Sequence, residues 1–245
     1  MKINQNIFQL YIQNNDSDGI PNGITSCIET ILNKKGDFDH YLLGNDALRE
    51  IINNNLGPEA VNAYDKLKPY TYKADFGRHC LLYLFGGWYF DASVRLNVDL
   101  TTFTNMNLVV FKDAPNPGLP SWDLSTSVIY GEKESKIFEI MIKEIIKNTE
   151  IEFYGTTPLS PTGPTLFGRC LATLGEKEST LTGLLTPLTP LHKNKNYAFV
   201  LPDGSIFAWG KSSWGTQAGD GLSAFATKGT NSYNEMYYSR KVYSI

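Results

Sequence analysis

The chain has 245 residues, 42% hydrophobic and 19% charged, the composition of one large globular domain able to bury its own core. A formal net charge of -3 leaves no footprint for nucleic acid, and no stretch approaches the ~20 apolar residues that span a bilayer. The segment from Met1 to Gly19 lacks the apolar run of a signal peptide, so the expected location is cytoplasmic, with peripheral contact at the cytoplasmic membrane face left open.

Asn6 to Ile12 reads as a buried first strand ending in the polar turn Gln13 to Gly19. Pro21 to Asn33 reads as a helix with Ile24, Cys27, Ile28 and Ile31 on one face. Phe38 to Leu43 is a second strand. Asn45 or Asp46 can cap a short helix through Ile52, and Pro58, at a first-turn position, opens another through Leu67. A helix from about Lys73 to Phe85 is stopped by Gly86-Gly87. Trp88 to Phe90 and Val94 to Leu96 are short strands flanking Asp91, and Asn107 to Lys112 is another strand. Asp113 to Asp123 holds three prolines and reads as a loop before the strand Ser127 to Tyr130. Glu134 to Lys147 is an amphipathic helix with Ile137, Phe138, Met141, Ile142 and Ile145 inward. Pro164 begins a helix through Leu174. Strands follow near Leu184 to Thr186 and Tyr197 to Leu201, with a Pro202-Asp203-Gly204 turn before Ser205 to Trp209. Gly210 to Thr230, rich in Gly, Ser and Thr, reads as a long flexible loop. The strand–helix–strand order predicts a single-domain α/β fold, a mostly parallel central sheet flanked by helices.

Asp75 and Arg78 are three apart on one helix face and can act as a pair. Asp91 follows an apolar strand and is costly to bury unpaired. A carboxylate delivered at the carboxyl end of a buried strand is how open α/β sheets build ligand sites. Gln9 is a polar residue in an apolar strand and needs a partner. Cys27, Cys80 and Cys170 are odd in number and far apart, which argues against a disulfide framework and a zinc site; His40, His79 and His192 share no metal-ligand spacing. The 14 tyrosines are accounted for by strands and edges more simply than by a sugar platform. Lys193, Lys195 and Lys211 could contribute to a local basic patch.

The series Ala74-Asp75, Arg78, apolar helix, Gly86-Gly87, short strand and Asp91 resembles glycosyltransferase family 32, whose pattern closes on Asp-x-Asp. Here Asp91-Ala92-Ser93 carries serine in the last place. Ser160-Pro161-Thr162-Gly163-Pro164 resembles the family's Thr-Gly-Pro segment, and Ser212-Ser213-Trp214 its Ser-Trp element in a mobile C-terminal loop. Asn231, Tyr233 and Glu235-Met236 resemble the ending of its bacterial polysaccharide transferases. Family members often carry a histidine shortly before Ser-Trp; Ala208 and Trp209 occupy that region here.

The resemblance implies a GT-A-type nucleotide-sugar-binding fold, with residues 1-100 as the donor part and 101-245 as the acceptor part and mobile loop. It implies retaining transfer of a sugar, from a UDP-sugar by preference, to an oligosaccharide or lipid-linked glycan in bacterial surface polysaccharide assembly. Asp75, Arg78 and Asp91 are the implied catalytic group, Asp75 on donor sugar hydroxyls and Arg78 on the sugar or diphosphate. Gln9, Tyr11, Gly86, Gly87, Thr162, Gly163, Pro164, Ser213 and Trp214 are the implied further substrate contacts. A divalent Mn²⁺ or Mg²⁺ is the implied cofactor, on Asp91, Ser93 and Asn231, although a neutral hydroxyl is a poor substitute for a carboxylate ligand. The alternative is a degenerate domain that binds nucleotide sugar or glycan without transfer.

Overall fold

The computed structural model describes residues 5–13, 19–103, 106–114, 118–175, 180–187, 197–210 and 231–244. Among them, nine strands form one sheet: β1 Asn6–Leu10, β2 Asp39–Leu43, β3 Gly87–Phe90, β4 Arg95–Leu96, β5 Leu108–Lys112, β6 Leu124–Gly131, β7 Thr180–Pro187, β8 Tyr197–Val200 and β9 Ile206–Trp209. The helices are α1 Asn22–Leu32, α2 Asn45–Leu56, α3 Pro58–Lys66, α4 Tyr70–Phe85, α5 Lys136–Glu150, α6 Pro164–Leu174 and α7 Tyr233–Tyr238.

The strand order is β2-β1-β3-β6-β5-β7-β8-β9-β4. β1 is parallel to β2 and β3, and β5 to β7; the other pairings are antiparallel. The α/β architecture is as expected, but the sheet is mixed rather than mostly parallel. A parallel neighbour needs a crossover, usually a helix, and α1 lies between β1 and β2 while α2 to α4 precede β3. β5 instead runs through residues 113–123 directly into β6 and returns antiparallel.

Successive residues of a strand point to opposite faces, and this alternation divides the core. Phe8, Tyr89, Val110 and Ile129 pack with α2 to α6. Ile7, Trp88, Phe90, Val109, Phe111 and Val128 face the other way, toward Ile31 of α1 and Phe199 and Phe207 of β8 and β9. The Phe207 ring stacks on Trp88 with centroids 5.2 Å apart. β3 and β9 are five steps apart in the strand order, about 24 Å if the sheet were flat. The far strands therefore curl back over this face.

The inward residues of α1 and α5 are those the periodicity predicts. α2 begins after Gly44 without a side-chain cap and runs a turn further, to Leu56. α4 starts about a turn earlier than expected and β6 starts at Leu124. The short helix α7 was not expected. Residues 211–230 of the expected flexible loop lie outside the described residues. Among the described residues no helix is long and apolar enough to cross a membrane.

Candidate active site

α4 passes through Gly86, at φ 62°, straight into β3. Going back from Gly86 to Arg78 covers about 12 Å of helix. Going forward from Gly87 to Asp91 covers about 13 Å of strand. The two side chains therefore meet at one level, at the carboxyl ends of the parallel neighbours β1 and β3.

There Arg78 lies between two carboxylates. Its Nη1 is 3.2 Å from Asp91 Oδ1 and its Nη2 3.2 Å from Asp75 Oδ1. Nε donates to the Ala74 carbonyl at 3.1 Å, and Nη1 donates to the Thr126 carbonyl. The guanidinium carbon sits 4.5 Å from the centre of the Tyr89 ring, whose hydroxyl donates to Asp91 Oδ1 at 2.9 Å. Thr126 Oγ1 donates to Asp75 Oδ1 at 3.3 Å, and Thr162 Oγ1 to Asp75 Oδ2 at 2.9 Å. A buried charge is tolerated only with partners, and this polar knot supplies them to each of its three ions.

Burial raises the Asp75 carboxyl above its ordinary value, against the opposing pull of Arg78 and the two threonine hydroxyls. Burial also works against the charge of Arg78, but Tyr89, Asp91 and Asp75 outweigh it and the guanidinium is held above its usual range. Burial lifts the Tyr89 phenol well above its own range, so it remains a hydrogen-bond donor to Asp91. Only 3% of Asp75 and of Arg78 is exposed, against 33% of the Asp91 side chain. Asp91 is the member a ligand can reach. Asp75 is turned inward, with both oxygens engaged, rather than presented to a donor sugar.

The other expected residues fall into groups. Gln9 is fully buried and finds two partners: its Nε2 donates to the Asp91 carbonyl at 3.4 Å, and its Oε1 is 2.8 Å from His40 Nε2. That amide steadies the Asp91 backbone. Tyr11 packs with Ala92 and residues of α1, beside Asp91 in the chain. Thr162 grips Asp75, and Gly163 and Pro164 open α6 next to it; a Cβ on Gly163 would lie 3.1 Å from Asp75 Oδ2. Gly86 and Gly87 are not with this group. They sit at the far end of β3, where Asn6 Nδ2 donates to the Phe85 carbonyl at 3.1 Å and a Cβ on Gly87, at φ 112°, would collide with the Asn6 carbonyl. Their role is in the backbone: a sharp turn and a close approach of β3 to β1. Ser213 and Trp214 lie outside the described residues.

The expected metal ligands do not converge on a divalent ion. Asp91 Oδ1 already serves Arg78 and Tyr89. Ser93 brings a neutral hydroxyl from the turn closed by Val94 N–H on the Asp91 carbonyl. The Asn231 oxygen accepts from Tyr70 N–H and its Nδ2 donates to the Lys68 carbonyl, both at 2.9 Å, which ties the C-terminal segment to the start of α4. Among the described residues no group of three or more His, Cys, Asp or Glu is placed to hold a metal. Hard cations prefer charged oxygens, so this donor set does not fit Mn²⁺ or Mg²⁺ as expected.

Two members of the knot carry no motif in the sequence. Tyr89 reads only as part of an apolar strand, yet strand alternation puts it on the α4 face, two residues before Asp91. Thr126 has no comparable local signal, because β6 reaches the knot only through the sheet.

No protein-family model matches the chain. Over 100 residues it is 34% identical to an uncharacterized glycosyltransferase of Acanthamoeba polyphaga mimivirus, a match spanning 41% of this chain and 39% of the viral protein. Among solved structures, the PaToxG glycosyltransferase aligns with a TM-score of 0.54 at 14% identity, over 70% of this chain and 69% of that one. The glycosyltransferase GlyE of Streptococcus pneumoniae aligns with a TM-score of 0.43 at 13% identity, over 74% of this chain and 45% of its own. The PaToxG likeness shows a GT-A-like α/β fold, and the viral match adds homology to a glycosyltransferase in sequence.

Proposed function

We propose that this chain is a glycosyltransferase of the family 32 type, moving a sugar from a nucleotide-sugar donor, a UDP-sugar by preference, to a glycan acceptor. The observation that carries the reading is the Asp75–Arg78–Asp91 knot at the carboxyl ends of β1 and β3, the place where α/β sheets bind ligands. The exposed part of Asp91 accepts from sugar or ribose hydroxyls. Arg78 fixes the orientation of Asp91 and offsets part of the carboxylate charge beside the place where a diphosphate leaving group would gather its own. Asp75 is a positioning residue, holding Arg78 on one side and the start of α6 on the other. The resemblance supports the finer reading: retention of configuration, and an oligosaccharide or lipid-linked acceptor of a bacterial surface polysaccharide, met at the cytoplasmic face of the membrane.

Ser93, in the place of a second aspartate, favours a second reading, a domain that binds nucleotide sugar or glycan without transfer. The deciding assay gives the purified chain a panel of UDP- and GDP-sugars with oligosaccharide acceptors, in Mn²⁺, Mg²⁺ or EDTA, and follows released nucleotide. Release from one donor, lowered about 100-fold or more in Asp91→Asn, is the expected result. Persistence in EDTA agrees with the donor set around Asp91; dependence on Mn²⁺ would mean that residues beyond it complete a metal site. A donor that binds without release under every condition would favour the second reading, and no donor binding at all would overturn both.

A further inference from the structure

Asp91 meets a ligand with its carboxylate, while its backbone is held from a different direction. We infer that His40, on the edge strand β2, is a positioning residue for Asp91. It acts through the buried Gln9 amide, which ties the imidazole to the Asp91 carbonyl. The inference rests on the glycosyltransferase reading of Asp91 and adds a residue that neither the motifs nor the resemblance assigns.

Placement comes first. β1 and β2 run parallel, with Ile7 opposite His40 and Leu42 opposite Gln9. Register partners and alternate residues of a strand share a face, so His40 and Gln9 project from the same side of the sheet. β1 lies between β2 and β3 in the strand order, and Asp91 directly follows β3. His40 Nε2 is 2.8 Å from Gln9 Oε1, and Gln9 Nε2 is 3.4 Å from the Asp91 carbonyl oxygen. The contacts form one line across neighbouring strands, spanning about 10 Å of sheet.

The direction of each bond follows from the groups at its ends. A carbonyl only accepts, so the Gln9 group facing Asp91 is the NH2, and the group facing His40 is the oxygen. That oxygen also only accepts, so His40 carries a proton on Nε2. Burial, and after it the neighbouring Lys35, hold the imidazole below its ordinary range. At neutral pH the ring is therefore uncharged, with its single proton on Nε2.

The setting gives the bond its consequence. Gln9 is fully buried, so bulk water does not stand in for a lost partner. Without the imidazole, Oε1 becomes a buried acceptor left empty, a costly state that the amide escapes by turning. Turning takes its NH2 away from Asp91. Among the described residues the Asp91 carbonyl is then left with Val94 N–H, at 2.9 Å. Arg78 and Tyr89 hold the carboxylate, and Ser127 accepts from Asp91 N–H at 2.8 Å. The Gln9 contact adds a tie from the same residue to β1 and, through His40, to β2.

The test uses the full chain as wild type, His40→Leu and His40→Gln, the last able to carry an amide N–H to the place of Nε2. NMR reads the relay without donor. The ring nitrogen shifts of His40 at pH about 7.5 should show the Nε2–H tautomer. The backbone nitrogen of Ala92, bonded to the Asp91 carbonyl, should shift in His40→Leu and return in His40→Gln. Kinetics with the productive donor read what the relay does for the site. His40→Leu should raise the donor KM about tenfold, with the acceptor KM unchanged and the loss mostly recovered in His40→Gln. A loss of folded protein alone would lower kcat and leave both KM values in place. A ring proton on Nδ1 would overturn the inference. So would an Ala92 signal that His40→Leu does not move or His40→Gln does not restore, or a donor KM in His40→Leu equal to that of wild type. The expected NMR results in a chain that turns over no donor would support the positioning of Asp91 by His40 while the transferase reading fails.

Discussion

Arg78 and His79 are consecutive residues of α4, equally buried, and the two sides of the helix treat them in opposite ways. Arg78 faces two carboxylates, two backbone carbonyls and an aromatic ring. His79 faces the rings of Phe138 and Phe167, with centroids 5.9 and 5.2 Å away, and neither ring nitrogen has a hydrogen-bond partner among the described residues. On the site side a full charge is retained because every neighbour answers it. On the scaffold side an imidazole is tolerated only as a neutral ring, its pKa pushed well below the ordinary value by burial, with Arg78 adding to the effect. Depth is the same; what differs is whether polar groups were placed to meet the buried one.

The hardest way to break this contrast is Arg78→Met. It leaves Asp75 buried without its cation and Asp91 without its anchor. Removing one partner of a buried ion pair costs about 3–5 kcal/mol, and urea denaturation should show a loss of that size together with the disappearance of donor turnover. A small loss would mean that Asp75 takes up a proton and sits comfortably as a neutral acid.

Thr162→Val tests the knot more gently, since valine fills nearly the same volume. Asp75 Oδ2 loses its hydroxyl donor, at a cost of about 1–3 kcal/mol. If Arg78 and Thr162 belong to one network, the Arg78→Met, Thr162→Val double variant should lose less than the sum of the singles. Strict additivity would place Thr162 outside the network.

His79→Phe works on the other side of α4 and should stabilise. It removes two unpartnered nitrogens from an aromatic nest, a gain of about 1 kcal/mol. The pH dependence has a definite sign. The folded pKa lies below the unfolded value of roughly 6.5, so below that pH the unfolded state binds more protons. The stability that wild type owes to a neutral His79 is full above about 6.5 and declines as pH falls. Thermal melts at pH 7.5 and 5 should therefore show the variant's advantage widening in acid. An advantage that stays constant would mean His79 protonates in place.

How much of this was legible follows from which distances are local. The grouping of Arg78 with Asp91 rests in the sequence on the resemblance alone; the structure supplies its physical reason, a helix retreating from Gly86 and a strand advancing from Gly87 that cover nearly equal lengths. Gln9 announced itself as a polar residue in an apolar strand, and its partners were found at Asp91 and His40. The inward turn of Asp75 was not readable. It depends on Thr126 and Thr162, 51 and 87 positions away, which no local pattern ties to α4. The glycines misled for the opposite reason: Gly86 and Gly87 are near Asp91 in sequence, and an extended strand carries Asp91 away from them. Asn231 reaches the start of α4 across 161 positions, from a segment whose own helix spans six residues. α4 itself hid its working face, because the residues from Asp75 to Leu82 are all buried and leave no polar side for periodicity to reveal.

The smallest effect should come from the pair that looks best on paper. Arg49 grips Asp65 with two hydrogen bonds, Nε to Oδ1 at 2.8 Å and Nη2 to Oδ2 at 2.6 Å, closer than either contact of Arg78 with its aspartates. Yet the two side chains are 47% and 41% exposed. Water solvates both ions when they separate, and salt screens them when they meet. Arg49→Met should shift the melting temperature less than any buried variant above, and the shift should shrink further in 0.5 M NaCl, where the screening length falls to roughly 4 Å. A loss comparable to Arg78→Met would make ion-pair geometry, rather than burial among satisfied partners, the source of the knot's strength, and would remove the basis for setting the two sides of α4 apart.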